Sequence, residues 1–461
     1  MLPDDVLIKI FDFYVDEDMG EDFEKQRLQE WMTLVRVCRR WRSLVFQSPR
    51  RLNLRLVCTP KTPPRDTLDI WPPLRLIIHD TYEDGTSGVD NTIAALEHND
   101  RVCQIDLICS YPRMKYVTDS AAMHKPFPEL THLELVMISD NELTIPDSFL
   151  GGSAPRLRSV NLINVPFPGL PKLLSSATHL VNLDLSYIPL SGYISPDSMA
   201  TSLSALTSLE FLRVDFGSAR PVPGSRCQAP LTRSILPVLT TMLFGGVSEY
   251  LEEILARIDA PRLSEMHITF FDRFIFDTPQ LFQVINQSPA LRTPEKCHIA
   301  FYYGTIIVKF PSQTSDLGVL SVSISFIESD ESDWRLSSLE QVCTSSLPLV
   351  STLEDLYILE GSYTPLRWLD DVENTLWLQL LQPFFAVKNL YLCKKSVPRI
   401  VPTLEELIGA RMTEVLPALE SIFLEELQPS GPFNEGIEKF VAARRLTSHP
   451  VTVSRWDKDW E

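Results

Sequence analysis

The sequence is short of everything that usually announces chemistry. Its histidines, at 79, 98, 124, 132, 179, 267, 298 and 449, include no His-Glu-x-x-His and no pairing with a cysteine at ligand spacing, so a zinc centre of those types is excluded. No Gly-x-Ser-x-Gly elbow occurs. Gly151-Gly152-Ser153 and Gly245-Gly246 are too short for a phosphate loop, and no Lys-Ser/Thr follows either. The chain is therefore expected to be non-catalytic, without metal or cofactor. Cysteines at 38, 58, 103, 109, 227, 297, 343 and 393 form no Cys-x-x-Cys pair. That distribution suits thiols in a reducing compartment, with Cys103 and Cys109 as small buried hydrophobes. No apolar run approaches membrane-spanning length. Met1 leads directly into a polar-capped helix, so no secretory signal is expected. Positive charge is also in deficit. With 42 basic and 60 acidic residues the net charge is −18, which argues against a nucleic-acid surface. The expected location is cytoplasmic or nuclear.

What is present is a globular composition, 44% hydrophobic and 22% charged over 461 residues, enough for one large or two ordinary domains. The first fifty residues carry two apolar stripes. Pro3 suits an opening helical turn, and Asp4 and Asp5 set negative charge against the positive end of the helix dipole. Leu7, Ile10, Phe11 and Tyr14 then fall at helical spacing. A second stripe runs through Trp31, Leu34, Val35 and Cys38 to Trp41, Leu44 and Val45. Helices this short cannot bury both faces on each other, so part of the surface meets the rest of the chain or another protein.

Leu2-Pro3, the Leu7/Ile10/Phe11 triplet, Val37-Cys38-Arg39 and Trp41-Arg42-Ser43-Leu44 together resemble an F-box, the three-helix module that docks onto the Skp1 subunit of cullin-based ubiquitin ligases. The resemblance covers residues 1–50. It implies that Leu2, Pro3, Leu7, Ile10, Phe11, Val37, Cys38, Trp41 and Leu44 form the Skp1-binding set, and that a cullin is reached through Skp1. Where the family has a short connection, this chain has Asp16, Glu17, Asp18, Glu21, Asp22 and Glu24, read as a solvated loop. A plain helical cap on a larger core is the alternative.

Residues 51–100 read as a linking unit. Strands are expected over 51–56 and 73–79, prolines 60, 63 and 64 break the chain between them, a loop spans 80–90, and a short helix covers 91–98. That strand-loop-helix unit then recurs. Leu-x-x-Leu-x-Leu, with conservative replacements, begins at Val102, Leu130, Leu157, Leu180, Leu209, Leu239 and Leu263, at intervals of 23 to 30 residues, and again at Leu353, Val387 and Leu419. The period is that of leucine-rich repeats, in which each unit gives one strand to a parallel sheet and fills the other side with a helix or turn. The expected fold is α/β: a small all-α F-box-like module at 1–50, a linking unit at 51–100, and an irregular leucine-rich-repeat solenoid at 101–448. Strands would line its concave face and helices its convex face, with a tail at 449–461.

Irregularity is read from several places. The site that carries Asn or Cys in regular repeats holds Ile138, Val165 and Ile188, so the asparagine ladder is missing. Residues 217–234 read as a loop. Between 270 and 350 no repeat is clear, but 305–310 and 319–326 are strand candidates that could pair with each other, and 329–335 reads as a polar loop. Trp456 and Trp460 would cap the last repeat.

The residue between the last two apolar positions of a repeat points away from the core. The early repeats place Asp106, Glu134, Asn161, Asp184 and Arg213 there, and the late ones Tyr357, Tyr391 and Phe423. Aromatic side chains dominate binding hot spots. A protein partner is therefore expected to anchor on Tyr357, Tyr391 and Phe423, with Asp184 and Arg213 at a polar rim, unless the C-terminal segment folds over the rings. Two functions are open to such a chain: a substrate adaptor joining an unidentified protein to a Skp1–cullin ubiquitin ligase, or a repeat-protein scaffold with a helical cap.

Overall fold

The computed structural model describes residues 2–15, 31–49, 52–61, 63, 68, 71–81, 87–139, 143–217, 233–271, 278–292, 294, 296–302, 304–311, 320–325, 333–361, 374–409, 411–425, 432–447 and 449–456. The acidic run at 16–24, most of the 217–234 loop and Trp460 lie outside the described residues. The chain divides into two compact units, Met1–Leu209 and Glu210–Glu461. The first combines the helical head with the linking unit and early repeats, where the sequence suggested separate segments.

In the first unit the head comprises α1 (Asp4–Val15), α2 (Trp31–Val37) and α3 (Arg39–Gln47). Cys38 breaks α2 from α3. It adopts an extended backbone and its Sγ accepts the Trp41 amide at 3.4 Å, serving as a helix cap. Leu7, Phe11, Leu34, Val35, Leu44 and Val45 are buried between the helices, and Phe11 packs on Trp41 with ring centroids 4.8 Å apart. Helices of 12, 7 and 9 residues are marginal alone, so this packing is what holds them. Trp31 fastens the head to the linking unit. It is fully buried, its Nε1 donates to the Arg55 carbonyl at 3.0 Å, and its ring meets Phe46 and Trp71 edge-on.

Six parallel strands then stack in chain order: β1 (Arg55–Cys58), β2 (Arg75–Thr81), β3 (Val102–Cys109), β4 (His132–Met137), β5 (Ser159–Ile163) and β6 (Asn182–Ser186). Between them run α4 (Val89–Leu96), α5 (Tyr111–Thr118) and α6 (Leu170–Leu174), and α7 (Pro196–Leu203) follows β6. The strand expected over 51–56 begins only at Arg55. Leu52 and Leu54 are buried, but they flank Asn53 in a left-handed turn, φ 45°. Alternating burial is produced by a turn as readily as by a strand, which is why the pattern misled.

The repeat motif does what its spacing requires. Leu180, Leu183 and Leu185 are at most 2% exposed, each contributing about 1.5–3 kcal/mol of burial. One backbone hydrogen bond recurs before successive strands, running from Thr131 N to Cys103 O, Arg158 N to Thr131 O and Val181 N to Arg158 O at 2.8–2.9 Å. The missing asparagine ladder needs one correction. Asn164, one residue before Val165, takes φ 57° and donates through Nδ2 to the carbonyls of Met137 and Ser139 at 3.3 and 3.1 Å. One rung therefore exists, displaced by a residue, and Ile138 points out, 55% exposed. Among polar groups buried in this unit, Asp80 and Arg113 form an ion pair at 2.8 Å with no exposure on either side chain.

The second unit opens with β7 (Phe211–Asp215), β8 (Ser234–Ile235), β9 (Thr241–Gly246), α8 (Ser248–Leu255), β10 (Ile258–Asp259), β11 (Glu265–Phe271) and α9 (Pro279–Gln287). The Glu252 carboxylate on α8 accepts the first free amides of α9, Gln280 N at 2.8 Å and Leu281 N at 2.9 Å, which joins consecutive helices. The chain then departs from the repeat. β12 (Lys296–Tyr302), β13 (Thr305–Phe310) and β14 (Leu320–Ser325) pair antiparallel, and the order runs β7-β9-β11-β14-β13-β12. The sequence pointed to the last two as a pair but missed β12 and the inverted order. Gly304, at φ 73°, makes the tight β12–β13 turn.

After α10 (Asp333–Gln341), which takes up the second half of the loop expected at 329–335, regular stacking resumes. It runs through β15 (Asp355–Glu360), α11 (Asn374–Leu381), β16 (Asn389–Leu392), α12 (Val397–Glu406), β17 (Ser421–Leu424) and α13 (Pro432–Leu446). The expected tail contains one more strand, β18 (Thr452–Arg455), parallel to β17. The recurring backbone bond proves its kinship, with Lys388 N on Glu354 O, Glu420 N on Lys388 O and Thr452 N on Glu420 O. Architecturally each unit is a leucine-rich-repeat-like stack.

Candidate functional site

Two surfaces collect the residues singled out from the sequence. On the head, Leu2, Pro3, Ile10, Val37 and Cys38 are exposed, Trp41 is half-buried, and Leu7, Phe11 and Leu44 are buried. The expected docking set therefore divides. Its buried members form the module's own core and reach a partner only by shaping the exposed members. Arg40 fixes the corner, with Nε on Asp4 Oδ1 at 3.0 Å and Nη2 on the Leu2 carbonyl at 2.6 Å. Leu2-Pro3 is thereby held beside the α2–α3 junction that carries Val37 and Cys38. Exposed ion pairs are worth little in stability, so this one matters for placement. Phe13, 79% exposed, was missed. It lies one turn beyond Ile10 on α1, and that i, i+3 spacing was the available signal.

The second surface is the sheet face turned away from the helices. In the first unit, register sets His79, Asp106, Glu134, Asn161 and Asp184 in one cross-strand row. His79 approaches Asp106 at 3.6 Å, Asn161 Nδ2 donates to Glu134 at 2.8 Å, and Ser186 donates to Asp184 at 2.5 Å. In the second unit the matching row starts at Arg213, Leu243 and His267 and passes through Ser321, Lys309 and His298 of the antiparallel insert. It ends at Tyr357, Tyr391 and Phe423.

The last three are stacked. Tyr357 and Tyr391 lie 4.0 Å apart at 6°, and Tyr391 and Phe423 4.5 Å apart at 9°. All three are half-buried. Stacked ring on ring, they offer their edges rather than their faces. Burial pushes the Tyr357 and Tyr391 phenols above their ordinary range, so both stay neutral. Trp456, just past β18, meets Tyr357 and Tyr391 edge-on at 5.7 and 5.6 Å.

The expected polar rim is not assembled at the rings. Five strands (β9, β11, β14, β13 and β12) separate β7, with Arg213, from β15, about 29 Å at ordinary strand spacing. Asp184 belongs to the first unit. The polar neighbours present are His298, whose ring meets Tyr357 at 4.5 Å, and the Asp355–Asn389 pair, joined at 2.8 Å. His298 could not be found from the repeat motif because β12 does not carry it.

His298 yields a pH prediction. Burial, with Lys309 and then Lys296 adding, lowers its pKa from 6.5 to about 4. The folded state thus binds fewer protons than the unfolded state between those values, and stability falls as pH drops from 6.5 towards 4. His298→Phe is expected to flatten that part of the profile. Urea midpoints at pH 7 and pH 5 measure it, and an unchanged difference between the two pH values would refute the assignment.

Buried thiols are inert by the same physics. Burial pushes Cys58 up to about 11 and Cys109 up to about 12, so neither is a nucleophile at neutral pH. Cys38 alone among the described cysteines is exposed. Among the described residues no cluster of His, Cys, Asp and Glu could hold a metal ion, and no helix is long and apolar enough to cross a membrane.

No protein-family description matches the sequence, and no curated protein is similar to it. Among solved structures, the chain is similar to the leucine-rich repeat-containing protein LegL7 from Legionella pneumophila. The identity is 12% and the TM-score 0.27, over 84% of this chain and 97% of that one. The repeat architecture rests on the strand register and recurring backbone bond described above.

Proposed function

We propose that the protein is a non-catalytic, substrate-recognition adaptor of a Skp1–cullin–F-box ubiquitin ligase, acting in the cytoplasm or nucleus. The head binds a Skp1-like subunit and through it a cullin. The repeats hold a protein substrate, and ubiquitin transfer belongs to the partner subunits. The observation that carries this reading is the division within the head. Leu7, Phe11 and Leu44 hold the helices together, while Leu2, Pro3, Ile10 and Val37 remain uncovered. Large apolar side chains left exposed on so small a module mark an interaction surface. Tyr357, Tyr391 and Phe423 are the substrate-facing anchors, since rigid rings bury area at little entropic cost.

A repeat scaffold unconnected to ubiquitination is the second reading. It is favoured by Trp31, whose burial and bond to the Arg55 carbonyl join the head to the first strand as a cap would be joined. Co-expression with a Skp1-like protein separates the two. The adaptor reading expects a stoichiometric complex on gel filtration, and a chain that stays free while its repeats still retain a protein partner is the scaffold.

A further inference from the structure

Trp456 occupies a seat that the rest of the sheet builds for it. Ala300, Leu359 and Cys393 are buried on the sheet face away from the helices, and Trp456 packs over them together with Tyr357. The edges of Tyr357 and Tyr391 form the wall of the seat. A ring edge carries partial positive charge and a ring face partial negative charge, so an edge-to-face aromatic occupant is favoured there. The strand that delivers Trp456 is short, and it joins β17 through backbone bonds that include Thr452 N to Glu420 O at 2.9 Å and Trp456 N to Leu424 O at 2.8 Å. β18 has four residues, of which Thr452, Ser454 and Arg455 are exposed. Among the described residues no further strand pairs with its outer edge. Ser454 stands in the row where the three preceding strands carry Phe423, Tyr391 and Tyr357, so β18 adds nothing to the ring stack itself.

We propose that β18 and Trp456 are an internal stand-in for the partner. The partner is an extended peptide bearing a tryptophan or other large aromatic residue. It adds as a strand to β17 and seats its ring on Ala300, Leu359 and Cys393. This rests on the reading of the rings as the docking surface and names the chemistry that docks. Strand addition supplies main-chain hydrogen bonds for affinity, and the seat for one alternate side chain supplies specificity. The five residues between α13 and β18 tether the internal strand at an effective concentration on the order of millimolar. The unmodified chain therefore binds such a peptide more weakly than an opened one.

The test uses the full chain and a labelled synthetic peptide of residues 449–461. Ser454→Pro with Trp456→Ala removes one strand amide and empties the seat. The opened chain is expected to bind the peptide at least about tenfold more tightly than the unmodified chain, by fluorescence anisotropy. Binding should disappear when the peptide carries Trp456→Ala or the opened chain carries Tyr391→Ala. Equal affinity for both chains, or no binding to an opened chain that still melts normally, overturns the proposal. Hydrogen exchange on the unmodified chain tests displaceability without any substitution. Residues 452–456 should exchange at least about tenfold faster than 421–424, and equal protection would overturn the proposal. None of these changes touches the head, so Skp1 co-purification fails or succeeds independently of the peptide result.

Discussion

On the proposed adaptor reading, a chain carrying Ile10→Asp is expected to bind a Skp1-like protein about a hundredfold or more weakly than the unmodified chain while melting close to it. Ile10 is 46% exposed on α1, so an aspartate there stays in water in the free chain and costs the fold little. In a complex the same carboxylate would be pressed against an apolar surface without a partner. That costs about 3 kcal/mol or more, and each 1.4 kcal/mol is about tenfold in affinity. Phe11→Asp is the instructive contrast. Phe11 is fully buried against Trp41, so that substitution unfolds the head and its loss of binding says nothing about the surface. Binding assays paired with thermal melts distinguish the two. An Ile10→Asp chain that retains Skp1 at the unmodified level removes the head from the interface.

Asp80→Ala is expected to destabilise the first unit by about 3–5 kcal/mol. Asp80 lies on β2. It accepts Arg113 Nε from α5 at 2.8 Å through Oδ1 and the Thr92 hydroxyl from α4 at 3.0 Å through Oδ2. Arg113 also donates to the Ser87 carbonyl at 2.9 Å. One buried carboxylate thus ties a strand to two helices and a turn. Removing it takes the carboxylate partner from a guanidinium with no exposure, and the cost is that of breaking a buried pair from one side. Asp80→Ala with Arg113→Met removes both charges and is expected to recover most of the loss, since well-packed apolar replacements of buried pairs are often neutral. Chemical denaturation of the three chains measures this. A single variant within about 1 kcal/mol of the unmodified chain would show that Arg113 finds other partners.

The repeats were legible because their information is local. Leu133 and Leu135, or Leu390 and Leu392, show their burial in a window of a few residues, and every strand expected from the motif is present. The three-ring stack was legible for a related reason. Once the strands are in parallel register, alternation alone places Tyr357, Tyr391 and Phe423 side by side. In the head, helical spacing identified the apolar residues but not which were spent inward. Leu7 and Ile10 share a stripe, yet one is 5% and the other 46% exposed, because α2 and α3 cover only part of α1.

What the sequence determined by itself was therefore the set of elements and the faces they present, since strand and helix periods are properties of neighbouring residues. Only the tertiary structure decided the rest. The order β11-β14-β13-β12-β15 depends on which strands meet across long stretches of chain. The Asp80–Arg113 pair joins groups 33 positions apart, and nothing near either residue announces the other. Trp456 reaches its seat on Leu359 and Cys393 only because β18 adds to β17. Pairing of that kind depends on which edges and apolar surfaces remain uncovered when the chain has folded, a quantity that no local pattern contains.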